Sequence, residues 1–181
     1  MLYGTTFKFE VRTEGGATLL RGAFPYNSET EISNGRRETF GPRAFRSRIE
    51  SGQNVFLLAG HDPEKPLAST EAGSLTLRDS DEALHVEARV MPSTSWARDA
   101  LSALSEGLTK GLSPGFRVPA GGDVTTRSAG GLLRTVNAAD LFEVSIVTRA
   151  AYDAAQIAAR SWNPDEPDNA GLLRTLNRWR H

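Results

Sequence analysis

The 181-residue chain contains no cysteine and only three histidines. Without thiols it can form neither disulfides nor thiolate metal sites. No apolar run approaches the ~20 residues needed to cross a bilayer, and the N-terminus reaches charged residues without the apolar core of a signal peptide. These absences predict a soluble, unexported protein with no membrane partner.

The chain also lacks an excess of charge, since its formal net charge is -1 at pH 7. Binding to nucleic acid through counterion release requires a concentrated basic surface, and the arginines here are scattered along the chain. We therefore expect no nucleic-acid partner. The length fits one domain, which we place at residues 1–160, followed at residues 161–181 by a polar, proline-bearing linker and a short amphipathic tail.

Strand patterns dominate the sequence. Alternating apolar and polar residues predict strands in TFKFEVR, in ATLLRGAF and in a hairpin made of GSLTLRD and EALHVEARVMP. Further strand-like runs are VFLLAG, KGLSPGFRV, GGLLRTVNAAD and LFEVSIVTR. Helices are predicted in ETFGPRAFRSRIESG, from Glu38, and in STSWARDALSALSEG. This order favours a mainly β or α+β fold in which a β-barrel or curved sheet is flanked by helices.

The scarcity of histidine directs attention to His61, which ends the apolar run VFLLAG. Ser113 lies in GLSPG, a literal match to the G-x-S-x-G elbow of α/β-hydrolases. That elbow uses the N–H of the residue after the serine, and Pro114 has none. An esterase of this type would also need a histidine downstream of Ser113, where only the terminal His181 stands. The elbow is rejected, but Ser113 stays a candidate nucleophile with His61 as its base.

Both residues also have a structural interpretation. His61 could be a histidine whose ring is satisfied by turn backbone, and Ser113 could be a small residue at a tight strand entry. A metal or cofactor is not expected, because the nearby Asp62 and Glu64 are single carboxylates and no second histidine stands at a ligand spacing.

Glu143 interrupts the otherwise apolar strand LFEVSIV. Strict alternation predicts that Phe142, Val144 and Ile146 share one apolar face of this strand. Glu143 is then either a wet or arginine-paired strand residue or the carboxylate that fixes the tautomer of a catalytic histidine.

In their order and spacing, ETFGPRAF, LLAGHD with PLAS, EALHVEARV, GLSPGF and LFEVSIVT make the sequence resemble the prohead proteases of tailed phages. These capsid-maturation serine proteases are in turn similar to the herpesvirus assembly proteases. The resemblance covers about Thr6 to Thr148. It implies a herpesvirus-protease-like β-barrel surrounded by helices, with His61 as general base, Ser113 as nucleophile and Glu143 as the third member.

The resemblance also implies partners and a location. The substrates would be the scaffold protein or the scaffold-like N-terminal segment of the major capsid protein, and the enzyme would often process itself. Cleavage would occur in the host bacterial cytoplasm, inside the assembling procapsid of a phage or prophage, and self-association is a further option. A different class of function stays open: a catalytically silent β-barrel that binds capsid or scaffold protein as an assembly factor.

We predict that Glu143 orients His61, in preference to three alternatives. Asp62 is adjacent to His61, and neighbouring side chains of an extended chain point to opposite faces. Asp140 lies at a strand start, where a carboxylate more often caps a turn. The herpesvirus relatives use a second histidine in this role, but His85 lies on the polar face of its strand, which is typical of solvated surface.

Two features depart from the family pattern or lack an assignment. After SIVT the family usually continues through a proline-containing PA turn, whereas this chain has RAAYDAA. Candidate oxyanion donors are Arg149, Arg134 and backbone N–H groups near Ser113. Pro114 cannot donate.

Overall fold

The computed structural model describes residues 10–14, 16–109, 111–128 and 130–148. Most of these residues lie in strands, which confirms the mainly β class, and two helices accompany them. The strands are β1 (Glu10–Glu14), β2 (Ala17–Pro25), β3 (Thr30–Ser33), β4 (Arg36–Phe40), β5 (Phe56–Ala59), β6 (Asp62–Ser69), β7 (Leu75–Asp79), β8 (Ala83–Val90), β9 (Gly111–Arg117), β10 (Asp123–Ser128), β11 (Gly131–Val136) and β12 (Asp140–Val147). The helices are α1 (Arg46–Glu50) and α2 (Ser95–Ser105). Neither helix has the length and apolar character needed to span a membrane.

The strands form three four-stranded sheets. The first has the order β1-β2-β8-β7, the second β10-β11-β4-β3 and the third β6-β5-β12-β9. Within the described ranges none of these sheets closes on itself, so the predicted barrel is not present as one continuous hydrogen-bonded cylinder.

The first sheet contains the predicted hairpins. β1 and β2 pair antiparallel around Gly16, whose φ of 79° is easily adopted only by glycine. β7 and β8 pair antiparallel, and the alternation predicted for β8 is confirmed: Leu84 and Val86 are buried, whereas Glu87 is exposed. The strand residues predicted at Phe7 and Phe9 lie outside the described residues.

The helix predicted from Glu38 is wrong over its first half. Arg36–Phe40 forms β4, which pairs parallel to β11, and only Arg46–Glu50 is helical. The four-residue spacing of Phe45 and Ile49 suggested a longer helix, but sheet pairing with a strand far away in the sequence outweighs that local preference. Strand β10, which pairs antiparallel with the next strand β11, was not predicted as a strand.

A buried ion cluster joins three strands of the second sheet. Arg134 on β11 donates to Glu38 Oε2 on β4 at 3.2 Å and to Asp123 Oδ2 on β10 at 2.6 Å. Burial raises the pKa of Glu38, and the positive charge of Arg134 opposes that rise. Arg134, an oxyanion candidate in the sequence, is therefore engaged in holding these strands together.

The third sheet carries the residues of greatest interest. Its strand β12 pairs parallel with β5 on one side and antiparallel with β9 on the other. Strand β6, which contains Pro63 and Pro66, was not among the strands predicted from the sequence. It lies at the edge of the sheet, where proline is tolerated because its missing N–H need not serve the ladder.

The helix predicted in STSWARDALSALSEG is confirmed as α2. Thr94 caps it by accepting the Ala97 N–H at 3.2 Å. Ala97 and Leu104 are buried, whereas Leu108, which lies beyond the helix end, is 66% exposed. The Trp96 Nε1–H donates to the Pro66 carbonyl at 3.0 Å, which ties α2 to β6.

All three sheets contribute to one hydrophobic core. Its buried members include Leu20 and Val86 of the first sheet, Phe40 and Val136 of the second, and Leu57 and Val144 of the third. Phe116, near the end of β9, packs with its ring centroid 5.0 Å from that of Phe40 and 6.1 Å from that of Phe45. These edge-to-face aromatic contacts anchor the strand that carries Ser113.

Candidate active site

His61 lies in a two-residue turn between β5 and β6. Ala59 and Asp62 pair across this turn, and its two central residues, Gly60 and His61, have φ of 65° and 60°. Positive φ at both positions is the requirement of a type I′ hairpin turn, and it is uncommon for histidine. Hydrogen bonds to β12 hold the turn: the Gly60 N–H donates to the Ile146 carbonyl and the His61 N–H to Ser145 Oγ, both at 3.0 Å.

Ser113 reaches the same place from β9. In the antiparallel pairing of β9 with β12, Ser113 lies opposite Ser145 and Gly115 lies opposite Glu143. β5 flanks the other edge of β12 and delivers the turn that carries His61. The order β5-β12-β9 therefore brings residues separated by more than 80 positions in sequence into one row.

The three candidate side chains form one hydrogen-bonded chain. His61 Nδ1 lies 2.6 Å from Glu143 Oε1, and His61 Nε2 lies 3.1 Å from Ser113 Oγ. A carboxylate offers only acceptors, so Nδ1 carries the proton and Nε2 presents its lone pair to the serine hydroxyl. This is the arrangement in which an imidazole can take a proton from a serine that attacks a carbonyl.

A β-bulge in β12 aims Glu143 at His61. The pairing of β12 with β9 shifts between Leu141 and Glu143, so one extra residue is inserted at Phe142. As a result Leu141, Val144 and Ile146 are buried, while Phe142 is 41% exposed. The predicted apolar face that placed Phe142 with Val144 and Ile146 is therefore wrong at Phe142, because strict alternation does not hold across a bulge.

Gly115 provides the room for the Glu143 carboxylate. A Cβ placed on Gly115 would lie 2.1 Å from Glu143 Oε1 and 2.7 Å from its Cδ. No side chain can therefore replace this hydrogen without moving the carboxylate. The second glycine of GLSPG thus has a role unrelated to the hydrolase elbow that the motif resembles.

The competing carboxylates and histidine are bonded elsewhere. Asp62 pairs with Lys65 and accepts the Glu64 N–H, and Asp140 pairs with Arg117. His85 lies in the first sheet, where its Nε2 is 3.3 Å from Ser80 Oγ. Among the oxyanion candidates, Arg149 lies outside the described residues, as do RAAYDAA and residues 161–181.

Sequence reasoning missed Ser145 and Gly115. Ser145 is fully buried, and its Oγ donates to Glu143 Oε2 at 2.6 Å in addition to accepting the His61 N–H. The only sequence signal for Ser145 was its position two residues after Glu143 on the same strand. Gly115 had no such signal, because its contact with Glu143 depends on the pairing of β9 with β12.

A cleft of about 340 Å³ opens beside His61. Its walls are mostly small or apolar, and the lining residues are Ala59, Gly60, His61, Ala100, Thr109, Ile146, Val147 and Thr148. Ser113, with 0% of its surface exposed, is linked to this cleft through its contact with His61. The described residues contain no cluster of histidine and carboxylate groups that could hold a metal ion.

Comparison with known protein families identifies the family to which the chain belongs. A family model described as caudovirus prohead serine protease matches residues 7–167 of the 181-residue chain. No curated protein and no solved structure matches it. The matched range includes all twelve strands, His61, Ser113 and Glu143. The chain belongs to the caudovirus prohead serine protease family and is therefore a serine peptidase, a hydrolase.

Proposed function

We propose that the enzyme is a serine endopeptidase whose nucleophile is Ser113, whose general base is His61 and whose orienting carboxylate is Glu143. The observation that carries the proposal is the continuous chain from Glu143 Oε1 through both ring nitrogens of His61 to Ser113 Oγ. Ser113 Oγ attacks the peptide carbonyl as His61 Nε2 takes its proton, and the imidazolium then protonates the leaving amine. Water then attacks the acyl-enzyme as His61 Nε2 takes its proton, and the imidazolium returns that proton to Ser113 Oγ when the acid product leaves. No step requires a cofactor.

The family is that of phage prohead proteases, so the enzyme acts in capsid maturation, within the procapsid in the host. We propose that its substrates are the scaffold protein or the scaffold-like N-terminal segment of the major capsid protein, and also the protease itself. The cleft beside His61, about 340 Å³ with mostly small or apolar walls, supports a peptide segment as substrate.

The alternative is a catalytically silent protein that binds capsid or scaffold protein during assembly. The observation that supports this alternative is the complete burial of Ser113, because a buried hydroxyl cannot meet a peptide carbonyl unless its surroundings move. A fluorophosphonate probe discriminates the two functions. Its phosphorus is attacked by an activated serine hydroxyl, fluoride leaves, and the serine becomes covalently phosphonylated, with His61 accepting the proton.

We expect stoichiometric labelling of the wild-type protein at Ser113, located by mass spectrometry of the digested protein. Ser113→Ala should not be labelled, and the matched control Ser105→Ala, at an exposed serine on α2, should be labelled like wild type. Labelling of another serine instead would show that Ser113 is not the nucleophile, and no labelling of the folded protein would favour the silent binder.

We also propose that the fold is related to the herpesvirus-protease barrel, with the three sheets wrapped around one core. The shared core supports this proposal, since residues of all three sheets pack in one cluster. A solved structure that includes the residues outside the described ranges would test it by showing whether the sheets are joined into a closed barrel.

The domain boundary near residue 160 stays a prediction. The linker SWNPDEPDNAG is too polar to pack, and the segment after it is too short for a stable isolated helix. Truncation after Arg160 should therefore shift the thermal unfolding midpoint by no more than a few degrees. A large loss of thermal stability would show that the domain extends further, toward residue 167 where the family match ends.

A further inference from the structure

Ser145 is connected to two members of the proposed triad at once. Its Oγ donates to Glu143 Oε2 at 2.6 Å and accepts the backbone N–H of His61 at 3.0 Å. The side chain is fully buried, and both partners come from the row of strands that forms the site.

These contacts define the direction of each hydrogen bond. The hydroxyl has one hydrogen, and a lone pair is already occupied by the His61 N–H, which can only donate. The Ser145 hydrogen is therefore directed to Glu143 Oε2. With Oε1 taking the proton of His61 Nδ1, each carboxylate oxygen has a donor, and the rotation of the carboxylate is fixed.

The same hydroxyl also supports the backbone that carries the base. His61 has a φ of 60°, a conformation that costs free energy for a residue with a side chain and persists only when its surroundings hold it. The bond from the His61 N–H to Ser145 is one of the two that attach the turn to β12. One hydroxyl thus restrains both the ring, through Glu143, and the turn, through the backbone.

We propose that Ser145 is a positioning residue of the protease, which holds Glu143 and His61 in register with Ser113. This inference rests on the proposed triad, because Ser145 would act only through those residues. Its loss would leave a buried N–H and one carboxylate oxygen without their partners and would let the imidazole shift. Misplacement of a catalytic group by about 1 Å costs on the order of a hundredfold in rate, so we expect a slowing of roughly 10- to 100-fold.

The test measures the rate of Ser113 phosphonylation by a fluorophosphonate as a function of probe concentration. Ser145→Ala should lower the limiting rate by roughly 10- to 100-fold and leave the half-saturating probe concentration nearly unchanged. The substitutions Ser145→Thr and Ser145→Val form the matched pair, since both add similar volume at this buried site but only threonine keeps a hydroxyl. We expect the threonine variant to be at least tenfold faster than the valine variant.

A second control separates positioning from stability. Ser69 is another buried serine, at the opposite end of β6 from His61, and its Oγ accepts the Ala72 N–H. Ser69→Ala should lower the unfolding midpoint but not the limiting rate. In a Glu143→Gln background, Ser145→Ala should slow the reaction much less than it does in wild type, because the two residues act through one contact.

The outcomes distinguish the proposed triad from the proposed role of Ser145. If Ser113→Ala is still labelled, the proposed triad is wrong, whatever the Ser145 variants do. If Ser113→Ala is unlabelled but Ser145→Ala reacts like wild type, or threonine and valine at position 145 react equally fast, the positioning role is wrong and the triad stands.

Discussion

Ser113→Ala and His61→Ala should each abolish cleavage of a co-expressed capsid or scaffold precursor while the protein remains folded. The hydroxyl is a weak nucleophile until His61 Nε2, 3.1 Å away, takes its proton, so neither partner functions alone. Loss of one member of such a unit costs on the order of a million-fold in turnover. The measurement is the appearance of processed precursor over time, with the folded state checked by circular dichroism and the unfolding midpoint.

A matched control is available for each substitution. Ser105→Ala changes an exposed serine on α2, and His85→Ala changes the histidine of the first sheet that contacts Ser80. Both should process the precursor at nearly the wild-type rate. Cleavage by Ser113→Ala above a few per cent of wild type would rule out Ser113 as the nucleophile, and a His85→Ala variant as inactive as His61→Ala would indicate a Ser-His-His triad.

Local sequence patterns were sufficient for some of the hairpins and for one helix. The hairpin of β7 and β8 and the helix α2 were predicted correctly because alternation and a Ser/Thr cap are local signals. Strand β4 was missed. It pairs with nearby β3 and also, in parallel, with β11 almost 100 residues later, and the second pairing leaves no local pattern in the sequence.

The residues of the candidate site also divide into those with a sequence signal and those without one. His61 was selected as a scarce histidine, Ser113 for its match to G-x-S-x-G and Glu143 as a carboxylate in an apolar strand, and the resemblance to prohead proteases implied their roles. Their supports, Ser145 and Gly115, are unremarkable in sequence, since a serine or a glycine in a strand has many ordinary explanations. Their roles depend on the register of β9 against β12, in which Ser145 faces Ser113 and Gly115 faces Glu143.

The carboxylate of Glu143 should matter less than Ser113 or His61, but its loss should still be severe. Glu143→Gln keeps the shape of the side chain and replaces one acceptor by an N–H₂ donor. If the amide oxygen keeps the hydrogen bond from Ser145, the amide N–H₂ faces His61 Nδ1 and places the ring proton on Nε2, the wrong tautomer for a base. We expect turnover to fall by roughly a hundred- to ten-thousand-fold, measured as precursor processing.

Gly115→Ala removes the same contact by steric means, without altering the chemistry of any triad member. The new Cβ would lie 2.1 Å from Glu143 Oε1, so the carboxylate must swing away from His61 Nδ1. Because Cδ and Cγ of Glu143 would also lie within 2.9 Å of the new Cβ, the whole side chain must shift, and turnover should fall by at least tenfold in a protein that circular dichroism shows to be folded. Adding Gly115→Ala to Glu143→Gln should cause little further loss, since both changes break one contact. If Gly115→Ala processes the precursor at the wild-type rate, the contact between Glu143 and His61 is not needed for catalysis and Glu143 is not the third member.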